Sequence, residues 1–415
     1  MVVPRARAEQ NRGPGHESDA LAAWLSDAAD RAALPAVAVV LASAAGASRC
    51  AYHGHLSGPG SPVLGEHSLL RWYSLTKPVT ASMVMCLVQQ GVLSLATRAS
   101  AVLPALAPDL GQATVEDLLC HRAGFGDWQW DAARWFRDAR ADWPDPRDAL
   151  ARVLGGKRRH RAHGVGPAGP SRYSNLGYAV LGEVAAAAAG LSYRQLVSDL
   201  VLGPLGMSGT GFAMDRSPGA STEPVVPSAA SAPAEGHVRL FSSLGLALQL
   251  CPGGRFLGQR VGRLRRTRPC EIVFSPHGGL VGPAKDLAPF LSLHLGYSGR
   301  GGREPILADS ALREMRRSRG RRAGSSSQSA GDRVTPGEAM GLGWVLDQLD
   351  TQGHGVGFCR HGGRGPGFTT EMMAIPEWGL AATVLTNVDG DARALCRALL
   401  AWGPEPLYEL LTGER

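Results

Sequence analysis

Ser74 and Lys77 stand three residues apart in Tyr73-Ser74-Leu75-Thr76-Lys77-Pro78. On a helix, positions i and i+3 share a face, so the hydroxyl and the amine would open into the same space. A lysine amine can give up its proton and act as a base, whereas an arginine guanidinium stays charged in proteins. The difference has weight here, because the chain holds 43 basic residues and only Lys77, Lys157 and Lys285 are lysines. Free lysine titrates at about 10.4, so a base useful near neutrality must be desolvated or crowded by positive charge. Ser-x-x-Lys is one way to make a serine nucleophilic. If Ser74 starts a helix, the positive end of the dipole also lowers the pKa of a nearby ammonium and stabilises a developing oxyanion. Pro78 fits only the first turn of a helix, which places the start here. Taken alone, the pair is a weak motif, and a solvated surface pair is the plain alternative.

Two further groups carry chemistry. Tyr173-Ser174-Asn175 follows a Gly/Pro-rich loop and precedes a helical stretch. A tyrosine can relay a proton, and an asparagine can hold a substrate amide or carbonyl. Its bland reading is a turn with an Asn cap. His361-Gly362-Gly363 lies between strand-like segments, within Phe358-Cys359-Arg360-His361-Gly362-Gly363-Arg364-Gly365. Glycines there let a substrate lie along a strand edge and let a backbone N–H face an oxyanion. A rival copy, His277-Gly278-Gly279, runs into a helical stretch and reads as a pre-helix turn.

These groups need a scaffold. Leu21, Trp24, Leu25 and Ala28 recur at helical spacing before Pro35, and Ala36 to Ala42 reads as a buried strand with Ser48 to His55 as its hairpin partner. After Ser74, Val79, Met83, Cys86 and Leu87 share one helical face, and Gly91 closes the helix. Helical stretches then dominate to about residue 210, including Val115–Leu119, Tyr178–Ala188 and Tyr193–Leu202. Met214–Gly236 and Arg317–Gly337 read as loops, with an amphipathic helix at Ala284–Leu295 between them. Strand-like segments return at Gly343–Leu346, Thr369–Ile375 and Leu380–Leu385, and a helix at Asp391–Ala401 closes the chain. Strands thus cluster at both ends, and one α+β sheet joining the ends with a helical lobe hung from it is the simplest architecture. A cleft between two lobes is a favoured place for a site.

Composition narrows the function. The 415 residues are 44% apolar and 19% charged, which describes a globular chain too long for one ordinary core. The net charge of +7 lies in runs such as Lys157-Arg158-Arg159-His160-Arg161 and Arg263-Leu264-Arg265-Arg266-Thr267-Arg268. Neither run carries interleaved aromatics, so solvated loops are expected, with an acidic partner or substrate as the alternative and no nucleic-acid partner. Seven cysteines, without C-x-x-C spacing, read as free thiols in a reducing compartment. No metal-ligand spacing or nucleotide-binding glycine motif is present, so neither metal nor cofactor is expected. The N-terminus lacks the apolar core of a secretory signal, and no run of about 18 apolar residues exists. A cytoplasmic location and no membrane partner follow as expectations.

Taken together, the three motifs in this order resemble the serine β-lactamase and penicillin-binding-protein-like family. More narrowly, they resemble its branch of class C β-lactamases, D-Ala-D-Ala carboxypeptidases and lactamase-like esterases. Other stretches look like the family too: Asp117-Leu118-Leu119-Cys120-His121-Arg122-Ala123-Gly124, Gly203-Pro204-Leu205-Gly206-Met207, Gly278-Gly279-Leu280 and Gly341-Leu342-Gly343-Trp344. The resemblance implies a β-lactamase/transpeptidase-like fold: an antiparallel sheet from the N- and C-terminal segments, flanked by helices, plus a mostly helical middle lobe. It implies a flexible tail at 1–16 and one catalytic unit at 17–415. The α/β lobe would take about 17–80 and 275–415, and the helical lobe about 81–274. Ser74 would be the acylated nucleophile, Lys77 the base or its tuner, and Tyr173 the proton shuttle to the leaving group. Asn175 would bind substrate and His361 would line the opposite wall. Gly363 and Arg364 would lie along the substrate, with the N–H groups of Ser74 and Arg364 forming the oxyanion hole.

The chain also departs from the pattern. His361 stands where a lysine is common, and Gly362 where many members have threonine. A neutral imidazole is a poorer anchor for a carboxylate, which points away from a dedicated β-lactamase; Arg364 could supply an anion contact of its own. The expected function is an acyl-enzyme serine hydrolase, esterase-like, on a small-molecule acyl ester or amide. An acyltransferase or transpeptidase-like enzyme would share the acyl-enzyme, and a non-catalytic binding or sensor protein would share only the scaffold.

Overall fold

The computed structural model describes residues 18–126, 136–138, 145–155, 170–212, 233–239, 242, 256–268, 270–297, 304–321, 338–351, 354–390 and 392–412. The tail at 1–16, the run at 157–161, Cys251 and most of the loops at 214–236 and 317–337 lie outside them.

A seven-stranded antiparallel sheet organises the chain. Its strands are β1 (Ala36–Ser43), β2 (Ser48–Gly54), β3 (Ala339–Met340), β4 (Val345–Thr351), β5 (His354–Gly365), β6 (Phe368–Ile375) and β7 (Leu380–Thr386). They run in the order β3-β4-β5-β6-β7-β1-β2. β1 pairs with β7, Val39 opposite Val384, so the two ends of the chain close into one sheet.

β1 is apolar without alternation because both of its faces are covered. Val37, Val39 and Leu41 face a cluster shared with α1 (Ser18–Ala32), α6 (Ala392–Leu400) and α7 (Pro404–Thr412). Ala36, Ala38, Val40 and Ala42 face the main core, which contains α2 (Thr76–Gln89), α4 (Asn175–Ala189) and α5 (Leu287–His294). α3 (Val115–Leu119) carries a capping box, with Thr114 accepting from Asp117 N at 3.2 Å and the Asp117 carboxylate accepting from Thr114 N at 3.1 Å.

Two helices differ from their sequence expectation. α2 buries every residue from Thr76 to Leu87, polar ones included, rather than a single apolar face. The stretch at 284–295 is a 3₁₀ turn, Ala284–Asp286, followed by α5, which is buried nearly all round instead of amphipathic. Both are wrapped by neighbours, so periodicity understates their burial. Short strands absent from the sequence reading also occur. Leu264–Thr267, inside the second arginine run, pairs with Leu257–Val261 and His237–Arg239. Val238, Phe256, Leu257 and Cys270 form a small core beneath it.

Cys50, Cys86, Cys120, Cys270, Cys359 and Cys396 are free thiols. Among the described residues no single helix is long and apolar enough to cross a membrane.

Candidate active site

Ser74 does not head α2. It sits in the 3₁₀ turn Tyr73–Leu75, which feeds directly into the helix. Tyr73 takes φ +47°, a left-handed conformation that side chains with a Cβ adopt at a cost of about 1–3 kcal/mol. Tertiary contacts hold it there. The buried ring packs edge-on to Phe368 with centroids 6.2 Å apart, and its hydroxyl donates to Pro366 O at 3.1 Å. A Cβ on Gly365 would collide with that ring, so glycine is required where β5 passes the turn. The strained turn presents Ser74 partly exposed, while both of its neighbours are buried.

Lys77 is fully buried one turn further on. Its Nζ lies 3.1 Å from Ser74 Oγ, and it donates to Asn175 Oδ1 and to His277 O, each at 2.7 Å. It also lies 4.6 Å from the Tyr173 ring centroid. The helix start of α4 brings up the second motif. Ser174 caps it by accepting from Gly177 N at 3.0 Å, which fixes Asn175 as the first helical residue and Tyr173 just outside. The Tyr173 hydroxyl donates to Ser74 Oγ at 2.7 Å. Serine, amine, phenol and amide therefore converge on one point.

The third motif supplies the facing wall. Val345 opposite Arg360 is the last β4–β5 pair, so residues 361–365 have β6 on one side and no strand on the other among the described residues. On the face towards Ser74, a Cβ on Gly363 would lie 2.5 Å from Trp72 O and 3.1 Å from Ser74 N. Only a glycine lets the strand approach the nucleophile turn this closely. The buried His361 ring sits 6.2 Å from the Tyr173 ring, and its Nδ1 donates to Gly362 O at 3.0 Å. A cavity of about 180 Å³ opens along this edge, lined by Ser74, Tyr173, Asn175, His361, Gly363 and Arg364 among others. All the residues singled out from the sequence border it except Lys77, which lies beneath Ser74.

Three contributors escaped the sequence reading. His277, from the rival His-Gly-Gly, holds Lys77 through its carbonyl; β-strand Leu280–Gly282 separates this turn from the helix it was expected to enter. Burial, the largest influence on it, holds the His277 imidazole well below its ordinary pKa, so it is neutral at pH 7. His121, at φ +61°, backs the phenol with ring centroids 4.7 Å apart and accepts from Ser174 N at 3.1 Å through Nδ1. Its signal was present in the family-like stretch at 117–124. Lastly, a buried charge cluster lies behind β5. Arg360 contacts Glu338 and lies 3.4 Å from Asp347 and 3.5 Å from Glu371, while Arg393 Nε is 3.7 Å from Glu371. Its members are scattered from 338 to 393, and no motif announces them.

The Beta-lactamase family model matches residues 21–401. No curated protein matches the chain. Among solved structures, the octameric penicillin-binding protein homologue from Pyrococcus abyssi aligns over 95% of this chain and 79% of its own, at 19% identity and TM-score 0.69. The D-amino acid amidase of Ochrobactrum anthropi SV3 aligns over 96% and 99%, at 20% identity and TM-score 0.66. The D-alanine carboxypeptidase AmpC from Burkholderia cenocepacia aligns over 97% and 100%, at 17% identity and TM-score 0.62. At such identities these likenesses establish the fold. With the family match spanning nearly the whole chain, the conclusion is direct: the protein belongs to the Beta-lactamase family and is a serine hydrolase of that type.

Proposed function

We propose that the protein cleaves an ester or amide of a small acyl group through an acyl-enzyme on Ser74. The observation that carries this reading is the setting of Lys77 Nζ, with acceptor-only partners at 2.7 Å on two sides and Ser74 Oγ at 3.1 Å on a third. An uncharged amine has two N–H bonds and one lone pair. Donating to Asn175 Oδ1 and His277 O uses both N–H bonds and turns the lone pair towards the hydroxyl. Complete burial favours the uncharged amine.

Ser74 Oγ attacks the substrate carbonyl as its proton passes to the Lys77–Tyr173 pair. The N–H groups of Ser74 and Arg364 receive the developing oxyanion. Tyr173 returns the proton to the leaving group, and water then releases the acyl group by the reverse path. Asn175 holds both Lys77 and the substrate, and His361 with Gly363 forms the wall along which the substrate lies. The amidase and carboxypeptidase above are named for D-amino acid and D-alanine substrates, so D-aminoacyl esters and amides head the candidate substrates.

The test is covalent. Intact-mass analysis and peptide mapping across activated acetyl, D-aminoacyl and penicillin substrates should place an acyl adduct on Ser74, and Ser74→Ala should carry none. An adduct mapped to another residue, or turnover that survives Ser74→Ala, would overturn the reading.

A further inference from the structure

Thr370 stands opposite Gly363 in the β5–β6 pairing. Its neighbours on the same face of β6, Phe368, Met372 and Ala374, are apolar members of the main core. Thr370 is buried with them, and what sets it apart is one oxygen. Valine would suit the pleat as well, and a buried hydroxyl costs stability unless it is hydrogen-bonded.

That oxygen lies in the space a side chain at Gly363 would fill. From there it donates to Trp72 O at 3.2 Å and, more weakly, to Gly363 O at 3.4 Å. One proton is shared between two carbonyls, a three-centre arrangement. Each carbonyl belongs to one half of the oxyanion hole. Trp72 O closes the turn that carries Ser74, accepting from Leu75 N at 3.1 Å. Gly363 O shares a peptide plane with the Arg364 N–H. The Gly363 Cβ position, where the hydroxyl sits, is 3.1 Å from Ser74 N, so the bridge lies on the face of the nucleophile.

The turn end of the bridge is rigid. Trp72 is fully buried and donates through N to Leu280 O at 3.1 Å and through Nε1 to Gly282 O at 3.2 Å. The strand end is the free edge of β5, which needs a tie to hold its distance from the turn. A second tie, from the Tyr73 hydroxyl to Pro366 O at 3.1 Å, lies beyond the end of β5.

We propose that Thr370 is a positioning residue for the oxyanion hole, its hydroxyl setting the separation of the Ser74 and Arg364 N–H groups. The assignment rests on the acyl-enzyme at Ser74. Thr370 acts through the two carbonyls rather than on the substrate. Its effect falls on the tetrahedral states, where oxygen carries charge, more than on the bound ester. A hydrogen bond into Gly363 O also polarises that peptide and strengthens its N–H as a donor.

The experiment uses two pairs of proteins that differ at the hydroxyl: wild type against Thr370→Val, and Thr370→Ser against Thr370→Ala. Acylation and deacylation both pass through tetrahedral states in the same hole, so on p-nitrophenyl acetate kcat should fall and KM should hold. In Thr370→Val, kcat should drop about tenfold or more, part of the roughly 10²–10³ that a lost oxyanion donor costs. The Ki of phenylboronic acid, which takes a tetrahedral form on an activated serine, should rise by a similar factor. Thr370→Ser should recover most of kcat, and Thr370→Ala should not. Should Thr370→Val fail to fold, the Ser/Ala pair reads the same oxygen. A purely structural hydroxyl would lower the melting temperature of Thr370→Val and leave kcat and Ki near wild type, which would overturn the proposal. A loss confined to KM, or equal kcat in Thr370→Ser and Thr370→Ala, would overturn it too. Wild-type protein that carries no acyl adduct on Ser74 would instead defeat the hydrolase reading on which this one stands.

Discussion

Lys77 Nζ donates to the carbonyl of His277 at 2.7 Å, tying α2 to a turn 200 residues further along the chain. The same turn is stitched to the helix by Thr80, which donates to Pro276 O at 2.8 Å, and by Thr76, which accepts from Leu280 N at 3.2 Å. The two His-Gly-Gly copies therefore meet at one site from opposite sides. The first copy holds the amine and the second walls the cleft.

Lys77→Arg tests the amine directly. Arginine keeps the positive charge, cannot accept a proton and is too long for a pocket built from Asn175, His277 and Ser74. Ester turnover should fall by about 10²–10⁴, the usual worth of a positioned acid–base group. Steady-state kcat/KM checks this, and a variant within tenfold of wild type would remove Lys77 as the base.

Tyr173→Phe removes one hydroxyl, the donor to Ser74 Oγ at 2.7 Å, and keeps the ring against His121 and His361. We expect the acyl adduct to form and then persist, with overall turnover about 10²–10⁴ lower. Time-resolved intact mass separates the two steps. Acylation slowed as much as deacylation would give the phenol a role in both.

The sequence made the chemistry legible where local spacing dictates geometry. Ser74 with Lys77, and Tyr173 with Asn175, are close in the chain, and each pair is delivered by one helix start. The hydrophobic runs at 36–42, 369–375 and 380–385 were likewise readable, because continuous β-branched and apolar residues suit a sheet covered on both faces. What stayed hidden depends on contacts across the fold. The role of His277 is carried by a backbone carbonyl, which has no residue signature. The positive φ of Tyr73 and the placing of Thr370 against Gly363 are fixed by strand pairing and ring packing, and no nearby residue encodes either.

Gly363→Ala tests the close approach of β5 to the nucleophile turn. The added methyl would meet Trp72 O at 2.5 Å and Ser74 N at 3.1 Å, and backbone atoms cannot swing aside as a flexible side chain can. Overpacking of this kind costs about 1–3 kcal/mol, so the fold should survive. The N–H of Ser74 would shift, and losing one oxyanion donor costs about 10²–10³ in kcat. Turnover compared with thermal stability decides it. Wild-type kcat in a variant with a lowered melting temperature would show that the approach serves packing alone.

His294 makes the stability of the protein depend on mild acid. Its imidazole lies within α5, 3.0 Å from Ser82 Oγ and against the rings of Phe290 and Trp344. Burial, and secondly the nearby Arg316 charge, lower its pKa to about 3. In the unfolded chain it titrates near 6.5, so between those values the unfolded state holds a proton that the native state refuses. Stability from this group is complete above about pH 6.5 and is lost as the pH falls towards 3. From pH 7 to pH 5 the loss is about 2 kcal/mol from this histidine alone. His277 and His237, also depressed by burial, act in the same direction. Glu183 and Asp286, raised by burial, act against it, because their native carboxyls take up protons more readily than unfolded ones. Urea unfolding at pH 7 and pH 5 should show wild type losing stability on acidification, and His294→Gln losing about 2 kcal/mol less over the same interval. Parallel losses in the two proteins would mean that His294 is already protonated in the fold, against the burial that surrounds it.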